Sequence, residues 1–147
     1  MRMPVSRDID WFRWAALYAR FALGAAFLSG IADRFGLYGR NVGYGNFAGF
    51  IRYTAQVNSF MPSSTIPFLA IAATVAELFF GIALIVGIWA FWVAIGAGVL
   101  LILFGTAMAI SFGIKSPLDY SVFSASAAAF LVAAYDVHQR RTRANES

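Results

Sequence analysis

Two side chains attract chemical interest because of where they sit: Arg20 and Glu77. Each interrupts an apolar run, Trp14 to Ala32 for the arginine and IPFLAIAATVAELFFGIALIVG, Ile66 to Gly87, for the glutamate. A carboxylate at mid-depth in a bilayer costs about 2.5 kcal/mol or more unless it finds a partner. A guanidinium can give it two hydrogen bonds at once, the geometry best suited to a dry site. Ala16, Arg20 and Gly24 share one helical stripe, and Ala73, Glu77 and Gly81 share another. Each charge therefore has small residues one turn away, the pattern that lets helices approach closely. Because each charge lies near the middle of its run, antiparallel neighbours are expected to bring Arg20 level with Glu77 and to pair them. The pair reads either as a lock on helix register or as a ligand or proton site. In the second reading Arg20 would hold a polar head group, such as a quinone carbonyl, from a cleft.

Other chemistry is bounded by what the chain lacks. It has no cysteine, which removes disulfides, thiol catalysis, thiolate-bound iron–sulfur clusters and thiolate haem ligation. One histidine, His138, in the basic tail cannot by itself make a histidine-rich metal site. No metal and no covalent cofactor are expected, and quinone is the one small molecule the arginine suggests. A second polar group is expected at the outer face. Asp33 and Arg34 close the first span there, and Lys115, Asp119 and Tyr120 open the fourth at the same level, near Tyr38, Tyr44 and Tyr53. These are interfacial charges and a helix cap, or an outward-facing polar site roofed by the 33–65 connection. Ser111, Ser121, Ser124 and Ser126 read as hydrogen bonds between helices or back to their own backbone.

The elements that position these groups follow from composition. Hydrophobic residues make up 61% of the 147 and charged residues 12%, against roughly 45–50% and about 25% in soluble domains. That excess requires lipid as the solvent for most of the surface. The expected architecture is all-α: one membrane domain, 1–147, forming a four-helix transmembrane bundle with a short amphipathic interfacial helix between spans one and two. The spans fall at about 11–32, 66–87, 89–113 and 117–135. The interfacial helix falls at about 46–60, where Phe47, Phe50, Ile51, Thr54 and Val57 recur at helical spacing, and a basic tail occupies 136–147. Gly87 followed by Trp89 marks the turn between spans two and three. Ser116, Pro117 and Asp119 read as N-cap, first position and third position of span four. The tail is expected to fray. Gly30-Ile31-Ala32 resembles a signal-peptide cleavage site, but Arg20 splits the would-be apolar core and Asp8 and Asp10 spoil a basic leader.

With four spans both termini share one side, together with Arg2, Arg7, Arg13, Arg140, Arg141 and Arg143. The other side has Arg34, Arg40, Arg52 and Lys115. The excess of basic residues makes the terminal side cytoplasmic, in a multi-pass protein of the inner membrane. The formal charge of +4 sits mainly at the ends and suits an anionic lipid surface. No basic and aromatic cluster of the kind that binds nucleic acid is present.

RFALGAAFLSG with Arg20, Gly24, Phe27 and Gly30, the aromatic segment ending at Pro62, and AELFFGIALIVG with Glu77, Gly81 and Gly87 together resemble the DoxX family of small four-helix membrane proteins, over residues 17–135. The resemblance implies redox-linked work at a bacterial cytoplasmic membrane, as a subunit of a quinone-linked oxidoreductase or as a membrane partner of a stress-response enzyme. Three functions remain open on the residues themselves. They are a quinone-interacting or scaffolding subunit, a small homo-oligomeric transporter that uses Glu77 as a proton or cation site, and an assembly factor without a ligand. A lipid-open cleft reaching Arg20 would favour the first, a polar path to Glu77 the second, and a closed bundle a scaffold.

Overall fold

The computed structural model describes residues 10–145. Arg2, Arg7 and the last two residues of the tail lie outside the described residues. The chain is helical, with no strand among the described residues: α1 (Trp11–Arg34), α2 (Phe47–Val57), α3 (Ile66–Val86), α4 (Ala90–Phe112), α5 (Lys115–Asp119) and α6 (Val122–Asn145). A 3-10 turn, Ser63–Thr65, leads into α3. Three helical stretches, Trp11–Arg34, Ser63–Val86 and Ala90–Phe112, are long and apolar enough to cross a membrane. This is a membrane protein by the length and composition of its helices.

The helix ends have local causes. Asp10 caps α1 by accepting the Arg13 amide, and Asn46 caps α2 by accepting the Gly49 amide. Gly87 ends α3 in the left-handed region that glycine enters at little cost. Trp89, also at positive φ, is the residue that precedes α4. The expected turn at Gly87 is therefore present.

α1 and α3 cross where both helices carry glycine. A Cβ added to Gly24 would lie 2.9 Å from the Gly81 carbonyl oxygen, and one added to Gly81 would lie 3.3 Å from that of Gly24. α4 and α6 pack most extensively. Ser126 donates to the Gly98 carbonyl at 3.0 Å, and Phe123 and Phe130 lie against Gly105 and Gly98. Those pairings make α6 antiparallel to α4, so α6 returns the chain to the end where α1 begins. Phe12 there packs against Tyr135 and His138. The core runs through Leu23, Phe27, Ala83, Leu84, Val93, Ala97 and Ala129.

Several expected boundaries change. α1 continues to Arg34 instead of ending at 32. The helix expected at 46–60 is Phe47–Val57. Span four does not start at a Ser116 cap. Residues 115–119 form a separate short helix, Ser121 takes φ 55, and α6 begins at Val122. Asp119 pairs back to Lys115 four residues earlier, so it is not an N-terminal helix charge. The tail is helical to Asn145. Asp136 pairs with Arg140 at 2.7 Å, Gln139 donates to the Tyr135 hydroxyl, and α1 covers this part of α6 through Phe12. The apolar part of α6, about 14 residues to Tyr135, is roughly 21 Å long, short of the ~30 Å core of a bilayer.

The α1–α3 crossing leaves no room for a side chain. Gly24→Ala is expected to lower stability by about 1–3 kcal/mol, as for other overpacked cores, whereas Ala25→Leu, on the exposed face of the same helix, leaves it unchanged. Thermal unfolding followed by circular dichroism in detergent micelles checks both.

Candidate functional site

The Gly24–Gly81 crossing decides which charges meet. Around that point, moving from Gly24 to Arg20 goes toward the chain termini, and moving from Gly81 to Glu77 goes toward the 35–62 connection. Side chains on a helix also lean toward that helix's own N-terminus. Arg20 therefore reaches up to the terminal end, while Glu77, on an antiparallel helix, reaches toward the connection. Arg34, the last residue of α1, leans back into the bundle and meets it.

The ion pair is accordingly Arg34–Glu77, not Arg20–Glu77. Arg34 Nη2 donates to Glu77 Oε1 at 2.6 Å, and Nη1 donates to Thr74 Oγ1 at 3.0 Å. Thr74 in turn donates to the Ala70 carbonyl at 2.7 Å, so the hydroxyl proton is committed and its oxygen is free to accept from the guanidinium. Both charges are buried, Arg34 at 4% and Glu77 at 5% relative exposure. A Cβ added to Gly30 would lie 3.3 Å from Glu77 Oε2, so this small residue makes room for the carboxylate. Ala73 is half-buried on α3. The Arg34 Nε has no acceptor, but the Phe50 ring lies 3.7 Å from the guanidinium carbon. That cation–π contact replaces hydration on one face of the cation.

The 35–62 connection supplies this ring and closes the site from above. Asp33, next to the buried arginine, turns outward, and both of its carboxylate oxygens accept the Tyr44 amide at 3.2 and 3.1 Å. It fastens the loop whose aromatic residues form the roof. Tyr44 sits 5.1 Å from both Phe50 and Tyr53, and Phe35, Phe47 and Phe50 continue the cluster. Ser111 on α4 holds the end of α2 through the Val57 carbonyl at 2.6 Å and Ser59 at 3.0 Å. Burial pushes the Tyr44 phenol well above its usual range, helped by the neighbouring Tyr53. Burial and Tyr120 push Tyr53 up as well.

The remaining candidates separate. Lys115 and Asp119 bond each other on the exposed surface of α5. Asp33 is used by the loop and Arg34 by the bundle, so the expected outer-face polar cluster is not assembled as one group. Tyr120 is exposed. Arg20 is half-buried. Its guanidinium lies against Gly87, where an added Cβ would come within 2.9 Å of Nη1, and 5.5 Å from the Phe21 ring. Its buried Nε has no hydrogen-bond partner. Comparison of the chain with protein-family models, curated proteins and solved structures finds no match. The DoxX resemblance thus rests on the sequence motifs alone.

Breaking a buried pair strands one charge. Glu77→Leu is expected to cost about 3–5 kcal/mol, and Arg34→Met combined with Glu77→Leu to recover most of the loss. Arg20→Gln should cost less than either single change at the pair. Detergent thermal stability of the four variants tests this ordering; equal losses for E77L and R20Q would return the pairing to Arg20. The tyrosines give a pH signature. A phenol whose folded pKa is raised keeps its proton after the unfolded chain has lost it. Folding stability should therefore fall as pH rises above about 10, the unfolded value. Tyr44→Phe should flatten that fall between pH 9 and 11.5.

Proposed function

We propose that the protein is a scaffolding subunit of the inner membrane: a helical bundle that is closed around Glu77 among the described residues and presents its faces to a partner. The observation that supports this reading is the Arg34–Glu77 pair, buried on both sides and roofed by Phe50. A carboxylate that carries protons or cations needs an open polar approach, and Glu77 is instead committed to a guanidinium held by Thr74. The DoxX-like motifs suggest the system it serves, an oxidoreductase or a stress-response enzyme linked to redox chemistry.

In this reading the bundle has four membrane-embedded helices. α6 is too short in its apolar part to span alone, and α5 lies beyond it at the connection end. The termini are cytoplasmic. Arg34 is buried in the bundle, which leaves Arg40, Arg52 and Lys115 as the exposed basic residues at the connection end, against a terminal end with Arg13, Arg140, Arg141 and Arg143. α2 caps the bundle at the outer interface, its apolar side on α3 and α4.

A second reading is favoured by one specific atom. The buried, unpartnered Nε of Arg20 is a donor that a lipid-soluble carbonyl, such as a quinone, would satisfy. It keeps the protein in the same redox setting but gives it a ligand.

Proteoliposomes separate these functions. The scaffold reading predicts proton flux, read by an entrapped pH dye, no greater than in empty vesicles, and no change on Glu77→Gln. Flux abolished by Glu77→Gln would replace it with transport. Quinone that co-purifies in mild detergent with the wild type and is lost in Arg20→Gln would establish the second reading.

A further inference from the structure

At the end where α1 begins and α6 finishes, two cavities meet and share Tyr135. The upper one is polar, about 620 Å³, lined by Asp10, Arg13, Asp136, Arg140 and Arg143 around that tyrosine. The lower one is an apolar groove of about 590 Å³ floored by Ala15, Ala16, Ala19 and Ala128 and edged by Phe12 and Leu131. Both volumes are within the ~300–1,000 Å³ of ordinary ligand sites. The groove exists because small residues face one another on α1 and α6, and its rim opens sideways past Leu131, which is 69% exposed.

The junction between the cavities lies where the bilayer boundary must fall. The apolar run of α6 ends at Tyr135, and polar residues follow from Asp136. Exposed Trp11, Trp14, Trp89 and Trp92 gather at this end of the helices, the position that tryptophan prefers at membrane interfaces. The upper cavity has three arginines and two carboxylates. Asp136 is engaged by Arg140, and Asp10 accepts the Arg13 backbone amide. Among the described residues the side chains of Arg13 and Arg143 have no carboxylate partner.

We propose that this double site holds one anionic phospholipid, with its phosphate among Arg13, Arg140 and Arg143 and one acyl chain in the alanine groove. A free phosphate would leave the groove unfilled, and a neutral lipophile would leave the arginines uncompensated. An anionic amphiphile satisfies both at the depth where its own polar and apolar parts divide. The site is on the α6 side of α1 and does not depend on the scaffold reading or on Arg20.

Native mass spectrometry of the full chain in mild detergent tests the site, using phosphatidylglycerol and phosphatidylcholine with identical chains. The wild type should bind phosphatidylglycerol at least tenfold more tightly. Arg13→Gln with Arg143→Gln should abolish that preference with helicity and unfolding temperature unchanged. Ala15→Phe with Ala128→Leu, which fills the groove, should weaken both lipids at least tenfold. Millimolar inorganic phosphate should not displace the bound lipid. Equal binding of the two lipids by the wild type would overturn the proposal, as would a headgroup preference that survives the double arginine change. Unchanged binding after the groove is filled would equally overturn it. Displacement by inorganic phosphate would show a free-anion site instead, and a concentration-dependent dimer that lipid does not affect would show a second copy of the chain in the groove. If the filled-groove variant fails to fold, the arginine arm still decides.

Discussion

A guanidinium and a carboxylate that cannot reach water must satisfy one another, and in this protein most of one end is built to let them. Arg34 and Glu77 lie 2.6 Å apart in a bundle whose surroundings are apolar. Their desolvation is offset only if geometry is good and the remaining donors find acceptors. Thr74 takes one donor, Phe50 covers the cationic face, and Gly30 leaves space for the carboxylate. Each of these comes from a different element, α3, α2 and α1. The pair thereby ties the connection to the bundle, at a crossing that the Gly24–Gly81 contact sets.

The two ends of the molecule solve different problems. The connection end is closed by aromatic residues tied down through Asp33 and Ser111, and its buried charges, Arg34 and Glu77, are spent on one another. The terminal end keeps polar and apolar surface side by side, with arginines above an alanine-lined groove. Between them, the apolar side chains exposed along α1, α3 and α4, such as Phe68, Val75, Leu103 and Ile110, would be a liability in water. In lipid they are the proper surface.

Much of the architecture was legible in the chain. An apolar excess with few charges gives membrane helices. Gly87 before Trp89 gives the turn, and the 47–57 periodicity gives a helix with Phe50, Thr54 and Val57 buried. The importance of Glu77 and of Gly24 and Gly81 was legible too, because an ionisable group and paired small residues in an apolar run have few uses. Depth and the small-residue stripes point to Arg20 as the partner of Glu77, whereas the structure supplies Arg34. Helix side chains lean toward their N-terminus, and that direction separates Arg20 from Glu77 while sending Arg34 inward. The signal was available in Arg34 at the helix end, one turn after Gly30, but as a charge at a helix terminus it also read as interfacial.

Composition and periodicity determined the solvent, the helices and the residues that could not stay unpaired, because these depend on local hydrophobicity and spacing. Register between helices, the identity of the buried pair and the split of 115–145 into two helices were decided only by tertiary structure. They depend on which surfaces meet. The Gly24–Gly81 contact sets the slide of α1 along α3, and no property of either helix alone contains that offset.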